Sequence, residues 1–569
     1  MFYKIFQCFF IFGLSLCLIY SEAFANVKPQ VAELNQGWSE QEVQFYNHAS
    51  EGTNLAPLEF VLNLPDPKAP DSKFIDKLSS EYGFIPSNKS ELNPYQLPVG
   101  FAIDKRPVKF GDRPYLGVTC AACHTRQLTY SKIDSSSYDS EWIFPVHGGP
   151  SLVDFPRFQE DLYDSFLALL DDDVLMETFA TAVLQRAPEQ QDIDSLRDEI
   201  REFTGPFIFT REIINGMKIP EADSGPGNLN ALTQGYYNNV GILGWMRHKG
   251  LIKPGGELPL PVRLEGAVNY PPVWFSPKDT WAQWFAEIHH PGPRNWIQSI
   301  STSAVRPPKM IEALKEKAVL ASIDFDNIEE IQDSLERLRT PKWPESALGQ
   351  LDQKLIAQGK VLFEQNCAQC HTRTYEPPNS LGIKFKKRLA FDVGTDPIAY
   401  QQFQKDASKR AEGLLNVSNK ILELRQGQLE EKFGEEVTGN YLKHDSRGRP
   451  NEFALTKEGE YSSASPKDKW NKSGAVYWAP PMEGIFASSP YFHNGSVPTL
   501  WDVLSKPEKR PTTFQTGTNE FDPEHIGLKN EGLFLYNTKE EGKDNNGHLF
   551  GTNLPPKQKL ALLEYLKSI

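Results

Sequence analysis

The stretch "CAACHT", Cys120–Thr125, returns as "CAQCHT", Cys367–Thr372, in a chain of 569 residues with six cysteines in all. The other two, Cys8 and Cys17, fall in the opening "MFYKIFQCFFIFGLSLCLIYSEAFA". There Lys4 precedes an apolar run and a small-residue Ala23-Phe24-Ala25 end, the pattern of a cleavable secretory signal over residues 1–25. The run is short for a membrane span. The expectation is an exported protein, periplasmic or secreted, with no membrane span after signal cleavage. Only Cys120, Cys123, Cys367 and Cys370 then remain, all inside the two repeats. In an oxidising compartment such vicinal thiols become disulfides, metal ligands or covalently capped groups.

A c-type haem satisfies this pattern. Its two vinyl groups form thioethers with two cysteines, and two intervening residues let both sulfurs reach one porphyrin edge. The next residue, His124 or His371, is carried beneath the ring as the proximal iron ligand. A redox disulfide does not need histidine after it in both copies, and a four-cysteine zinc site would have to unite two distant pairs. Chance would produce such a pentad on the order of 0.001 times in a chain of this composition. Two covalently attached haems are therefore expected.

Composition is that of an ordinary globular protein. The chain is 24% charged and 39% hydrophobic, with a formal charge of −14 and a pI near 5.4. With that balance a clustered basic, nucleic-acid-binding surface is not expected. The expected partner is a redox protein or a small oxidant.

Before the second repeat, Leu351, Leu355, Gly359, Leu362 and Asn366 recur near helical spacing. At the chain end, "LPPKQKLALLEYLKSI" repeats Leu560, Leu563 and Leu566 behind a proline suited to a first helical turn. Two helices bracketing a haem motif resemble a cytochrome c domain, placed at 346–569 after the linker-like "LRTPKWPESALG". The N-terminal haem domain, 26–345, has a Pro- and Gly-rich lead-in to Cys120 without a clear helix. Helices are expected at "DDDVLMETFATAVLQ" and at "DIDSLRDEIREFTGPFIFTREII", the latter ending at Gly205-Pro206. The fold class is mainly α: two cytochrome c-like haem domains with long irregular connections and little sheet.

Function turns on the second axial position of each iron: a filled site favours electron transfer, an open one binds oxygen or peroxide. For the second haem the leading candidate is His548, on the loop "DNNGHLFGTNLPP" before the closing helix; His493 and Met482 are alternatives. For the first, His147 in "WIFPVHGGPSL" is a candidate ligand or acid/base group, and His289 and His290 are weaker ones. Trp274, Trp281, Trp284 and Trp296 cluster with Phe275 and Phe285, either as an aromatic core face or as a pocket wall and electron relay.

Taken together, "GVTCAACHTRQ", "HGGPSLVDFPRF", "SGPGNLNALT", "YFHNGSVPTLWDVL" and "NNGHLFGTNLPPKQKLALLEYLKSI" resemble the rubber-oxygenase-like branch of the bacterial di-haem cytochrome c peroxidase superfamily. The resemblance implies a mostly helical exported protein in which His371 and His548 hold one haem and His124 holds another with an open distal side. It implies a distal aromatic residue at Trp284 or Phe285. The chain departs from that pattern at His147, where an acidic residue is usual, and at Asn228, where arginine is usual. Peroxide reduction, oxygen insertion into an apolar substrate and plain electron carriage with both irons six-coordinate are the three activities left open.

Overall fold

The computed structural model describes residues 29–105, 113–216 apart from 135–136, 224–229, 266–278, 322–371, 390–405 and 477–569, with short pieces within 281–299, 374–387 and 425–431. The expected signal, with Phe285, His290 and Trp296, lies outside the described residues. Helices dominate and the sheets are small, as a mainly α reading requires.

The chain enters through β1 (Gln30–Val31) and helix α1 (Glu40–His48). A capping box starts α1: the Ser39 hydroxyl accepts from the Glu42 N–H, and the Glu42 carboxylate accepts from the Ser39 N–H. Two donors that a helix start leaves orphaned are thereby satisfied. Strands β2 (Ala56–Pro57), β3 (Phe101–Asp104) and β4 (Tyr115–Val118) form a sheet ordered β2-β4-β3, so a middle strand leads into Cys120. A long antiparallel hairpin follows, β5 (Thr125–Asp134) and β6 (Ser137–His147), with β1 parallel along β6. The sequence reading does not anticipate this hairpin.

Helices α2 (Phe155–Asp171), α3 (Asp173–Leu184) and α4 (Gln190–Gly216) bury their apolar stripes with β2–β4 in a first core that includes Phe158, Phe166, Phe179 and Phe203. The expected end of α4 at Gly205-Pro206 is corrected here, since the helix runs through Pro206 to Gly216. Proline removes one helical hydrogen bond, but Phe203 packs edge-on to Phe166 and Phe207 stacks on Tyr163 at 4.4 Å. Burial on both sides of the proline outweighs the lost bond.

The second core gathers α5 (Phe325–Arg337), α6 (Gln353–Asn366) and α7 (Pro556–Ser568) around the hairpin. It contains Tyr46, Phe144 and Val146 from before residue 345 and Phe363, Phe486 and Leu563 from after it. The segment read as a linker is packed: Trp343 is buried, and the Arg339 and Lys342 N–H groups donate to the Gln36 and Leu34 carbonyls. As expected, α6 and α7 cross, and they meet at Gly359, where a Cβ would fall on the Ala561 carbonyl oxygen. Gly359→Val is expected to lose about 1–3 kcal/mol through overpacking, measured by denaturant unfolding. Wild-type stability in that variant would mean the helices do not close on each other here.

Candidate functional site

Helix α6 ends at the second pentad: the Cys367 N–H donates to the Phe363 carbonyl, and the His371 N–H to that of Cys367. This single turn aims the His371 ring inward. Its Nδ1 donates to the Pro480 carbonyl at 2.7 Å, which fixes the proton there and leaves the Nε2 lone pair free to bind. The ring of His548 faces it, with centroids 6.3 Å apart and planes at 61°. Burial lowers the pKa of His371 and, with the nearby His371 ring and the Arg510 guanidinium, pushes His548 down to about 4. Both imidazoles are therefore neutral at pH 7.

His548 sits on a strained loop. Its φ is +47°, that of Gly547 is +75°, and its N–H donates to the Val393 carbonyl at 2.8 Å. A Cβ on Gly547 would strike the Gly394 backbone, so glycine is required. Buried Arg510 holds the loop: its guanidinium donates to the carbonyls of Asn545, Gly547 (2.9 Å) and His548 (3.2 Å), while Nε serves Ser505 and Asp502. The sequence reading missed Arg510, and a lone arginine in "SKPEKRPTT" carries no local signal for this role.

Between the two rings opens a cavity of about 180 Å³ lined by Cys367, Cys370, His371 and His548 and walled by apolar side chains including Trp274, Phe492, Leu504 and Leu562. Met482 lies on this wall. So does His493, which stacks on Tyr477 at 3.7 Å and meets Trp284 edge-on at 6.5 Å, with no ring contact to His371 among the described residues. Trp284, which the resemblance ties to the first haem, thus lines the cavity of the second pentad; its indole N–H donates to the Asn269 carbonyl. Burial pushes His493 down to about 3. As pH falls from about 6.5 towards 3, the unfolded chain protonates this histidine while the folded one resists, so the fold loses stability by about 1.4 kcal/mol per unit. His493→Phe, measured by thermal unfolding across that range, is expected to flatten the loss.

At the first pentad, Ala121 packs into the second core and Ala122 into the first, so the turn is held between them. His124 Nδ1 donates to the Pro271 carbonyl at 2.8 Å, as His371 does to Pro480. The parallel extends to sequence: Tyr270-Pro271-Pro272 and Ala479-Pro480-Pro481 each supply one carbonyl to one pentad histidine. A Pro-Pro pair downstream of each pentad was the available signal, and the sequence reading did not use it. Tyr46 donates its hydroxyl to the His124 carbonyl at 3.3 Å, and the Tyr270 ring stands 6.3 Å from that of His124.

The hairpin register pairs Thr125 with His147, which explains why a residue so far along the chain returns beside the pentad. Gln36 clamps the His147 backbone, donating to its carbonyl and accepting from its N–H, both at 2.8 Å. Trp274 donates to the same carbonyl at 2.7 Å. The His147 ring contacts Trp38 at 5.8 Å and, among the described residues, not His124; its Nδ1 is buried without a partner. Burial pushes its pKa down to about 4. Asn228 is buried and pairs across a short ladder with Asn269. His289 falls in the two-residue strand Ile288–His289.

Burial also raises the Cys123 thiol to about 12 and Cys367 to about 11. A thiolate is costly in such surroundings, whereas a thioether carries no charge. No group of three or more His, Cys, Asp or Glu side chains converges among the described residues.

A family model described as RoxA-like, cytochrome c-like matches residues 476–515. The matched segment contains Pro480, Met482, His493 and Arg510 and neither pentad. The chain is 26% identical to uncharacterized protein y4iJ of Sinorhizobium fredii over 598 aligned positions, covering 95% of this chain and 93% of the relative. It is 25% identical to uncharacterized protein y4iM of the same organism over 267 positions, 43% of this chain and 51% of that one. The family match relates the chain to RoxA-like c-type cytochromes, and with that relationship come haem binding and a redox role.

Proposed function

We propose that this cytochrome is an exported di-haem c-type oxidoreductase of the rubber-oxygenase-like branch of the di-haem peroxidase superfamily, with one site on either side of residue 345. The carrying observation is the 6.3 Å between the His371 and His548 rings. Two imidazoles bound through Nε2 on opposite faces of one iron stand roughly 6.2 Å apart, from a bond of about 2.0 Å and a nitrogen-to-centroid distance of about 1.1 Å on each side. In this reading His371 and His548 would hold the iron between them, and Cys367 and Cys370 would attach the porphyrin through thioethers. Cys120, Cys123 and His124 hold the first haem, whose histidine shares the proline-carbonyl anchor.

Haem iron bound at these residues supplies one-electron redox chemistry, and where a coordination position is open it binds peroxide or oxygen. The residues divide that work. Pro271 and Pro480 orient the proximal imidazoles; the loop of His548 closes the second site as an electron store. His147, neutral and with its ring against Trp38, would serve as a proton acceptor for the first site. Trp274 joins the two sites, bonded to the His147 carbonyl on one side and lining the second cavity on the other.

The test is an intact mass with two porphyrin increments, followed by absorption and EPR spectra with and without cyanide or carbon monoxide. One low-spin unresponsive haem and one high-spin responsive haem are expected. Two unresponsive low-spin haems would leave a plain electron carrier, and a colourless acid-acetone-washed protein would end the covalent reading.

A further inference from the structure

Glu51 presses against the first pentad and has no part in the chemistry above. Its Oε1 accepts from the Cys120 N–H at 2.6 Å, its Oε2 faces Cys120 Sγ at 3.3 Å, and Ser299 Oγ stands 3.5 Å from Oε2. The residue is 4% exposed and makes no ion pair among the described residues. The groups that face it are the Tyr46 hydroxyl on α1, the two sulfurs of the pentad and Ser299, none charged once the sulfurs are thioethers. On α5's side, Asp324 donates its N–H to the Glu51 carbonyl, while its own carboxylate caps the helix at Asn327. Burial raises the Glu51 carboxyl above the usual carboxylate range, partly countered by the Cys120 N–H and thiol. At the second pentad the equivalent N–H, that of Cys367, goes to the backbone carbonyl of Phe363.

Among the described residues, a carboxylate with no cation partner is held out of water beside the first pentad and not beside the second. An added electron nearby disfavours its charged form, because Coulomb repulsion is strong in a low-dielectric interior. We propose that Glu51 is the redox-linked proton acceptor of the first haem site. When one electron arrives there from a one-electron donor, Glu51 gains one proton from solvent, forming a carboxyl O–H; when the electron leaves, the proton returns. Charge and atoms balance, and no other bond changes. This rests on haem being attached at Cys120 and Cys123. Its consequence is that pH sets the driving force between the two haems, since the first potential falls with pH and the second does not.

The test is a spectroelectrochemical titration of both haems against pH in the full-length holoprotein, wild type and Glu51→Gln, each first weighed by intact mass. In the wild type the first haem is expected to fall by up to about 59 mV per tenfold drop in proton activity, and Glu51→Gln to remove that slope while leaving the second haem's unchanged. An equal slope in both proteins overturns the assignment. A mass lacking the porphyrin at Cys120 and Cys123 instead removes the functional reading beneath it. Should Glu51→Gln fail to fold, the wild-type redox-difference infrared spectrum decides: a protonated-carboxyl band must rise as the first haem is reduced and shift in heavy water, and its absence sinks the proposal.

Discussion

His548→Ala protein is expected to keep both porphyrin increments by mass yet lose the low-spin spectrum of its second haem, becoming high-spin and open to carbon monoxide. The argument is geometric. His371 is anchored from behind by Pro480, so its position does not depend on His548, and the thioethers proposed at Cys367 and Cys370 would hold the porphyrin irrespective of the sixth ligand. Removing the imidazole that faces His371 leaves a void in its place, which added imidazole refills. The potential of that haem should rise by on the order of 0.1 V, a fraction of the roughly 0.8 V that axial ligation spans. His493→Ala and Met482→Ala should leave the low-spin spectrum in place, because among the described residues the ring contact to His371 comes from His548. A low-spin spectrum that survives His548→Ala and vanishes in one of the other two would transfer the ligand role.

Arg510→Gln is expected to cost roughly 3 kcal/mol or more, since a buried, charge-assisted fork loses several carbonyl partners at once and hydrogen bonds to charged groups contribute about 1.5–3 kcal/mol each. Burial pulls this guanidinium down to about 10, so it remains charged at pH 7. Its donors reach both sides of the loop, from Asp502 and Ser505 to Asn545, Gly547 and His548. The loss should therefore appear in denaturant unfolding and, separately, as a partial high-spin signal from a loosened His548. Arg510→Lys should recover little, because an ammonium has no planar fork to spread over carbonyls on several residues. Full rescue by lysine would show that charge alone holds the loop.

The pentads, the paired helices α6 and α7 and the loop that carries His548 were legible from the chain itself. In each case the information is local: covalent spacing, helical period, or a loop of Asn and Gly that admits positive φ. The hairpin β5/β6 was not legible in the same way, nor was the passage of α4 through Pro206. Strand pairing and tolerance of a helix breaker depend on what packs against them, here the Phe166 and Tyr163 faces and the parallel edge of β1.

By itself the sequence determined which atoms hold haem in the proposed sites, because Cys-x-x-Cys-His fixes sulfur and imidazole within one turn. Only the tertiary structure decided which distant groups complete each site. Proline carbonyls 147 and 109 residues away orient the two histidines, Arg510 fastens the loop of His548, Trp284 turns to the second cavity, and Glu51 comes to rest on Cys120. Such contacts arise when two cores close around one another, and buried polar groups must then find partners wherever the chain happens to pass.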